Sequence, residues 1–219
     1  WGVASPSVSD YTLWQYTSTG SMPGIKGYVD ISHDKGVVSS NPADKVIKIA
    51  REQEGYIEKA SRDNLYNKTA NPGYGNYTKF GYEMHLIQPS NMDYPAAWCD
   101  SFVDWCFKTA YGIEKAKQLL CGDFDDYTVR SASFYQKAGR WFKSPKYGDQ
   151  IFFKNKNGIC HTGLVEKVEG GYVYTIEGNT SVSGIKCYGG RVCRKSYPLG
   201  DTSIAGYGRP DYDGICGRQ

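Results

Sequence analysis

The sequence predicts an α+β fold, with N-terminal helices packed on a C-terminal antiparallel β-sheet. Two observations carry this expectation. Between residues 41 and 138, outside a loop-rich stretch at 62–96, apolar residues recur at the spacing of amphipathic helices. After Trp141 the period changes to alternation, in short runs separated by turn residues. Helical and strand patterns are segregated rather than interleaved, which argues against a doubly wound parallel sheet.

Residues 1–40 differ in character from the remainder of the chain. Ser, Gly and Pro punctuate them, and they offer only two short strand patterns, at 12–16 and 28–31. By pattern they form a hairpin or tail with no core of its own. The composition shifts near residue 40, where Asn41 reads as an N-cap, Pro42 as the first helical position and Asp44 as a first-turn acid. Val46, Ile49, Ala50 and Ile57 continue at helical spacing. Two units are therefore expected, residues 1–40 and 41–219. Residues 62–96 read as loop, with Asn71-Pro72-Gly73 and several Gly-Tyr pairs.

A helix is expected next, with Trp98, Phe102, Val103, Cys106, Phe107 and Ala110 on one face and Gly112 at its end. Pro95 keeps helix from extending far upstream, which places Cys99 in or near the first turn. Shorter helices are expected over 113–120 and 128–138. Strands are expected over 150–153, 161–168, 172–177, 191–197 and 204–207. Gly148-Asp149 and Gly170-Gly171 supply turns, and Gly178-Asn179-Thr180 breaks the third strand.

Composition sets bounds on function. The net charge of +3 suits an anionic surface such as a cell wall and is too small to argue for nucleic acid. No run is apolar and long enough to span a bilayer. The chain opens on Trp1 and shows no signal peptide, so a native start farther upstream is expected. Its 19 Tyr, 26 Gly and 5 Trp suit a loop-rich extracellular protein with aromatic surfaces.

Seven cysteines are present: Cys99, Cys106, Cys121, Cys160, Cys187, Cys193 and Cys216. None forms a CxxC pair, and only His33, His85 and His161 are available beside them, a poor set for structural zinc. Cys99 and Cys106 cannot bridge, because seven residues of helix rise ~10 Å. Cys187 and Cys193 flank a turn and could bridge it. Cys106 and Cys160 read as structural, and His33 and His85 as surface groups.

A nucleophilic cysteine needs a base within hydrogen-bond reach and a group that orients the base. At a helix N-terminus, Cys99 meets unpaired backbone N–H groups that favour thiolate. His161 opens a predicted strand and Glu177 ends the next, so a hairpin turning at Gly170-Gly171 brings the two to one end of the sheet. The glutamate then holds the imidazole tautomer that presents a free nitrogen to the thiol. Asn179 is placed to orient the ring or bind a carbonyl oxygen, and the helix start to form an oxyanion hole.

These residues lie in a series of motifs: Asn76-Tyr77-Thr78-Lys79-Phe80-Gly81, Ala97-Trp98-Cys99-Asp100-Ser101-Phe102-Val103-Asp104-Trp105-Cys106, Pro145 with Gly148-Asp149 and Ile151-Phe152-Phe153, His161-Thr162-Gly163-Leu164-Val165, and Glu177-Gly178-Asn179-Thr180. In this order they resemble the CHAP domain, the papain-like cysteine- and histidine-dependent amidohydrolases and peptidases that cut peptidoglycan. The resemblance implies Cys99 as nucleophile, His161 as base, Glu177 as orienting group and Asn179 as auxiliary. It implies bacterial peptidoglycan as substrate, no cofactor, a monomer, and a place outside the cell or in the cell wall. Some CHAP domains carry an aspartate-rich calcium loop. Here that stretch reads Tyr82-Glu83-Met84-His85, and Ser101 stands where a further aspartate would be, so no metal is expected. Leu13-Trp14-Gln15-Tyr16-Thr17-Ser18-Thr19-Gly20, with Pro23-Gly24-Ile25 and Val29-Asp30, resembles the last strands of family-25 glycoside hydrolases, the muramidases. That resemblance implies a muramidase barrel upstream and no muramidase activity in this chain.

Three readings stand at this point. One is an endopeptidase of the wall peptide, favoured over its alternative, an N-acetylmuramoyl-L-alanine amidase. Another is a wall-binding module without catalysis. A third is a cysteine hydrolase of a soluble amide.

Overall fold

A computed structural model of the chain describes residues 13–20, 29–34, 41–181, 190–212 and 214. The chain divides into two compact units, Trp1–Asn41 and Pro42–Gln219. In the first, β1 (Leu13–Gly20) pairs antiparallel with β2 (Val29–Asp34), Leu13 opposite Asp34 and Gly20 opposite Val29, with two register shifts. Both strands run longer than expected. The added residues of β1 are small and polar, so the backbone ladder continues where no side-chain alternation marks it.

The second unit opens with α1 (Ala43–Glu52), whose buried face is Ala43, Val46, Ile47 and Ala50. Pro42, rather than Asn41, occupies the N-cap position. Next comes α2 (Lys79–Ile87), within the stretch expected to be loop. Thr78 caps it, its hydroxyl accepting from Gly81 N at 3.0 Å. Only nine residues long and interrupted by Gly81, α2 is held less by propensity than by the packing of Phe80 and Met84.

α3 (Cys99–Tyr111) begins at the cysteine and ends at Gly112, whose φ of 76° few other residues adopt. α4 (Ile113–Leu119) and α5 (Thr128–Lys137) come next, where the spacing places them.

Six strands complete the unit: β3 (Trp141–Phe142), β4 (Gln150–Asn155), β5 (Gly158–Glu169), β6 (Tyr172–Thr180), β7 (Arg191–Pro198) and β8 (Ile204–Gly208). They form one antiparallel sheet in the order β3-β8-β4-β5-β6-β7. β6 does not break at Gly178. It runs on to Thr180 through a register shift, with Asn179 at φ 52°.

α3 lies at the centre, against α1, α2, α4, β5 and β6. Its Phe102 and Phe107 are fully buried with Phe152, Leu164 and Ile176 of the sheet. The Phe80 ring stacks on Trp98 at 5.6 Å and meets the edges of Phe102 and Trp105, each at 5.1 Å. Strand alternation sends Ile151, Phe153, Val165 and Val173 to the other sheet face, where they cluster with Tyr207.

Cys106 is buried in the main core, as expected. Cys160 corrects its structural reading, because it is exposed at a register shift between β4 and β5. Cys187 and Cys216 lie outside the described residues, and with them the Cys187–Cys193 bridge that the turn would allow. The side chains of Asp30 and His33 are likewise outside.

Phe80 joins the loop-borne helix α2 to the site-bearing helix α3. Phe80→Ala is expected to destabilise the unit by ~3–5 kcal/mol, lowering the melting temperature by about 10 °C in a calorimetric scan. A shift below about 2 °C would show that the aromatic cluster does not anchor α2.

Candidate active site

Cys99 is the first residue of α3 and is only 6% exposed. The first intrahelical bond runs from Phe102 N to Trp98 O at 3.0 Å, so the N–H groups before Phe102 have no acceptor within the helix. Backbone groups of Asp100, Thr162 and Cys99 lie close enough to favour the charged form of the thiol. Thr162 directly follows His161 on β5, so the thiol sits against the strand that carries the imidazole. No direct hydrogen bond joins Cys99 to His161 among the described residues.

Gly178 makes this approach possible. A Cβ there would lie 2.6 Å from Phe102 Cβ and 2.9 Å from Trp98 Cζ3. The residue read from sequence as a strand breaker is thus the place where β6 admits the first turn of α3. Trp98 is fixed from the other side by Nε1 donating to the buried Glu58 Oε2 at 2.9 Å.

His161 and Glu177 meet as expected, with Nε2 at 2.9 Å from Oε2. Glu177 is fully buried. Its Oε1 accepts from Thr175 Oγ1 at 2.6 Å and from Tyr197 OH at 2.9 Å, and Lys195 Nζ stands 3.7 Å from Oε2. Burial pushes the carboxyl up. The hydrogen bond and charge of His161, the Thr175 hydroxyl and Lys195 outweigh it, and the carboxyl ends below its ordinary range. An ionised carboxylate only accepts, so Nε2 carries the hydrogen and Nδ1 is left as the acceptor. The ring also lies against Phe153, centroids 5.6 Å apart.

Asn179 joins His161 at an open pocket of ≈ 410 Å³ that Thr180, Ser181 and Gly190 also line. Its left-handed backbone turns it out of the ladder toward Gly190, where a Cβ would come 2.3 Å from Asn179 Oδ1. The structure thus brings Cys99, His161, Glu177 and Asn179 to one junction of helix and sheet.

The expectation of a readily ionised thiol is corrected. Burial pushes the Cys99 thiol up to about 12, and the neighbouring Asp100 acts in the same direction. The backbone N–H groups lower it without offsetting either.

Asp100 is itself fully buried. It accepts from Ser131 Oγ at 2.5 Å and Gln150 Nε2 at 3.0 Å. Burial pushes its carboxyl up to about 7, and the charges of Asp125 and Asp126 add to this, against the hydrogen bonds from Ser131 and Gln150. Asp104, one turn on, is raised by burial and by Asp100.

Tyr82, Glu83, Met84 and His85 lie on α2 rather than in a loop. Glu83 Oε2 accepts from Trp105 Nε1 and Lys108 Nζ, each at 2.8 Å, and His85 Nδ1 lies 2.6 Å from Met92 O. These side chains are engaged in holding α2 to its neighbours. No group of three or more metal-ligating side chains occurs among the described residues, and no described helix is long and apolar enough to cross a membrane.

Sequence reading missed Thr175, Tyr197, Gln150, Asp100 and Thr162. Thr175 had a local signal, since it stands two residues before Glu177 on the same strand face. Tyr197 had none, because it reaches Glu177 only through the pairing of β6 with β7.

A carboxyl raised in the folded state stabilises fully below its unfolded value near 4, and that contribution is lost as pH rises through about 7. The melting temperature is therefore expected to fall by several degrees between about pH 5 and about pH 8. Asp100→Asn, which keeps an acceptor for Gln150, should remove part of that fall and leave the share of Asp104. An unchanged slope in differential scanning calorimetry would contradict the assignment.

No curated protein sequence matches the chain. Among solved structures it is similar to the one titled "The crystal structure of Ly7917 with the hydrolyzing product of MDP". The identity is 15%, over 77% of this chain and 62% of that one, with a TM-score of 0.35. The chain thus spans about 62% of the length of the solved structure it matches. The family model described as CHAP domain matches residues 89–179, a stretch that opens ahead of α3 and ends at Asn179, so all four candidate residues lie within the matched stretch.

Proposed function

We propose that residues 41–219 hydrolyse an amide bond in the peptide of bacterial peptidoglycan, with Cys99 as nucleophile, His161 as base, Glu177 as the group that orients His161, and Asn179 as auxiliary. The observation that carries the reading is the His161–Glu177 pair, with the carboxylate buried and four groups around it, and with His161 on the strand whose Thr162 backbone lies against the Cys99 thiol. A CHAP domain implies hydrolysis of peptidoglycan, and the match covers all four residues.

The reaction can be built from the geometry. Nδ1 of His161 takes the Sγ proton as sulfur attacks the carbonyl carbon, so no free thiolate has to persist in a buried site. Backbone N–H groups at the α3 start, with the Asn179 amide, receive the developing oxyanion. The C–N bond breaks as the imidazolium gives its proton to the leaving amine. Water, deprotonated by His161, then cleaves the thioester and restores the thiol. Glu177 stays ionised throughout and holds Nε2–H, which keeps the same nitrogen facing the sulfur.

The endopeptidase is favoured over the N-acetylmuramoyl-L-alanine amidase because residues 13–30 resemble muramidase strands. A glycan cutter paired with a peptide cutter opens both components of the wall. This reading places the protein outside the cell or in the cell wall.

Purified sacculi digested with the protein, with the fragments analysed by mass spectrometry, test the proposal. New termini inside the stem or cross-bridge are expected, and new L-Ala N-termini would mean the amidase instead. Cys99→Ala should lower lysis by at least ~10³-fold, and Glu177→Gln by ~10²- to 10⁴-fold. Lysis that persists in Cys99→Ala would sink the cysteine mechanism. No lysis by the unaltered chain, with retained wall binding, would favour the non-catalytic module.

A further inference from the structure

We propose that Gln150 is a positioning residue that sets the reach between Cys99 and His161, through one amide group bonded to the residues directly after each of them. The inference rests on the reading of Cys99 and His161 as nucleophile and base.

Gln150 opens β4 and is fully buried. Its Nε2 donates to Asp100 Oδ1 at 3.0 Å and to Thr162 Oγ1 at 3.1 Å. Asp100 directly follows Cys99 on α3, and Thr162 directly follows His161 on β5. A single NH₂ group therefore ties the helix to the strand one residue beyond each reacting side chain.

Each partner is held in turn. Thr162 Oγ1 donates to Ile151 O at 2.7 Å, so the hydroxyl has one orientation left in which to accept from Gln150. Asp100 Oδ2 accepts from Ser131 Oγ at 2.5 Å, which ties α5 to the same point. Because strand residues alternate, the depth to which Thr162 is drawn in sets the stance of His161 on the other face. The Thr162 backbone also lies against the Cys99 thiol. A shift of Thr162 therefore moves the thiol and the imidazole relative to each other.

Gln150 is poorly suited to stability alone. Its Oε1 is buried with no hydrogen-bond partner. An apolar side chain of the same length would avoid that cost in a layer that already holds Phe152 and Leu164. What the amide supplies and methionine does not is the two-way donor between α3 and β5.

The test compares the unaltered chain with Gln150→Met, His161→Ala and Thr162→Val. The rate of Cys99 alkylation by iodoacetamide is followed across pH and read on the Cys99 peptide by mass spectrometry, alongside lysis of sacculi and thermal melting. Gln150→Met is expected to stay folded, to lose ~10- to 100-fold in lysis and to shift the alkylation profile toward that of His161→Ala. Thr162→Val, which cuts one arm of the tie, should shift it in the same direction and keeps the question open to measurement should Gln150→Met not fold. A double variant carrying Gln150→Met and Thr162→Val should lose little more than either of those single ones, because both break one unit. A melting change with an unshifted alkylation profile and lysis within about two-fold of the unaltered chain would make Gln150 a structural residue and overturn the proposal. If His161→Ala itself leaves the profile unshifted, the nucleophile–base reading fails, and the proposal falls with it. A shift in His161→Ala without one in Gln150→Met overturns the Gln150 assignment alone.

Discussion

The first turn of α3 approaches β6 so closely that a single methyl group on Gly178 would meet both Phe102 and Trp98. The rest of the site depends on that contact. It brings the start of the helix to the strand pair β5–β6, so the Cys99 thiol reaches the Thr162 backbone and lies beside the strand of His161. The core supports the same seat from the far side. Phe80 stacks on Trp98, and Glu58 holds the indole nitrogen. Packing and the candidate site are thus linked by geometry, because the residues that bury the helix also set where its N-terminus ends.

Burial at this junction pushes its acidic groups the same way, yet they end in different states. It keeps the Cys99 thiol and Asp100 protonated over a wider pH range than in water. For Glu177 the same burial is overcome, because His161, Thr175, Tyr197 and Lys195 converge on one carboxylate. The outcome is one acid held charged and one thiol held neutral on neighbouring elements. In the proposed reaction, a proton passed through His161 suits this division better than a standing thiolate, since it creates charge only when the substrate carbonyl is ready to receive it. The helix terminus would then serve that reaction as a set of hydrogen-bond donors for the oxyanion more than as a means of ionising the cysteine.

The sheet divides its two faces between these tasks. Phe152, Leu164, Ile176 and Val192 face the helices and build the main core, while Thr162 and Gln150 carry polar bonds within that layer. On the other face His161 lies against Phe153, which also meets Tyr197, and Tyr197 holds Glu177. The histidine therefore has an apolar wall on one side and a pinned carboxylate on the other, an arrangement that limits both its rotation and its tautomer.

Much of this was legible in the amino-acid sequence, where chemistry and local pattern coincide. Pro95 and Gly112 bracket α3, period and alternation separate helices from strands, and Gly170-Gly171 turns β5 back on β6, which sets His161 near Glu177. Local pattern failed at α2, a short helix that tertiary packing holds, and at Gly178, whose role is defined by what lies across from it rather than by its neighbours in the chain. Tyr197 and Gln150 were invisible for the same reason, since each reaches the site from another strand through the order of the sheet. The protonation state of Cys99 was also beyond the sequence. A helix start can be read from residue types, but burial depends on everything packed around it, and here burial outweighs the helix end. Sequence alone thus determined which side chains are candidates for chemistry and on which elements they ride, because periodicity and turn chemistry are local. Only the tertiary structure decided what holds those side chains in place and which of them is charged, because contact and desolvation arise between segments far apart in the chain.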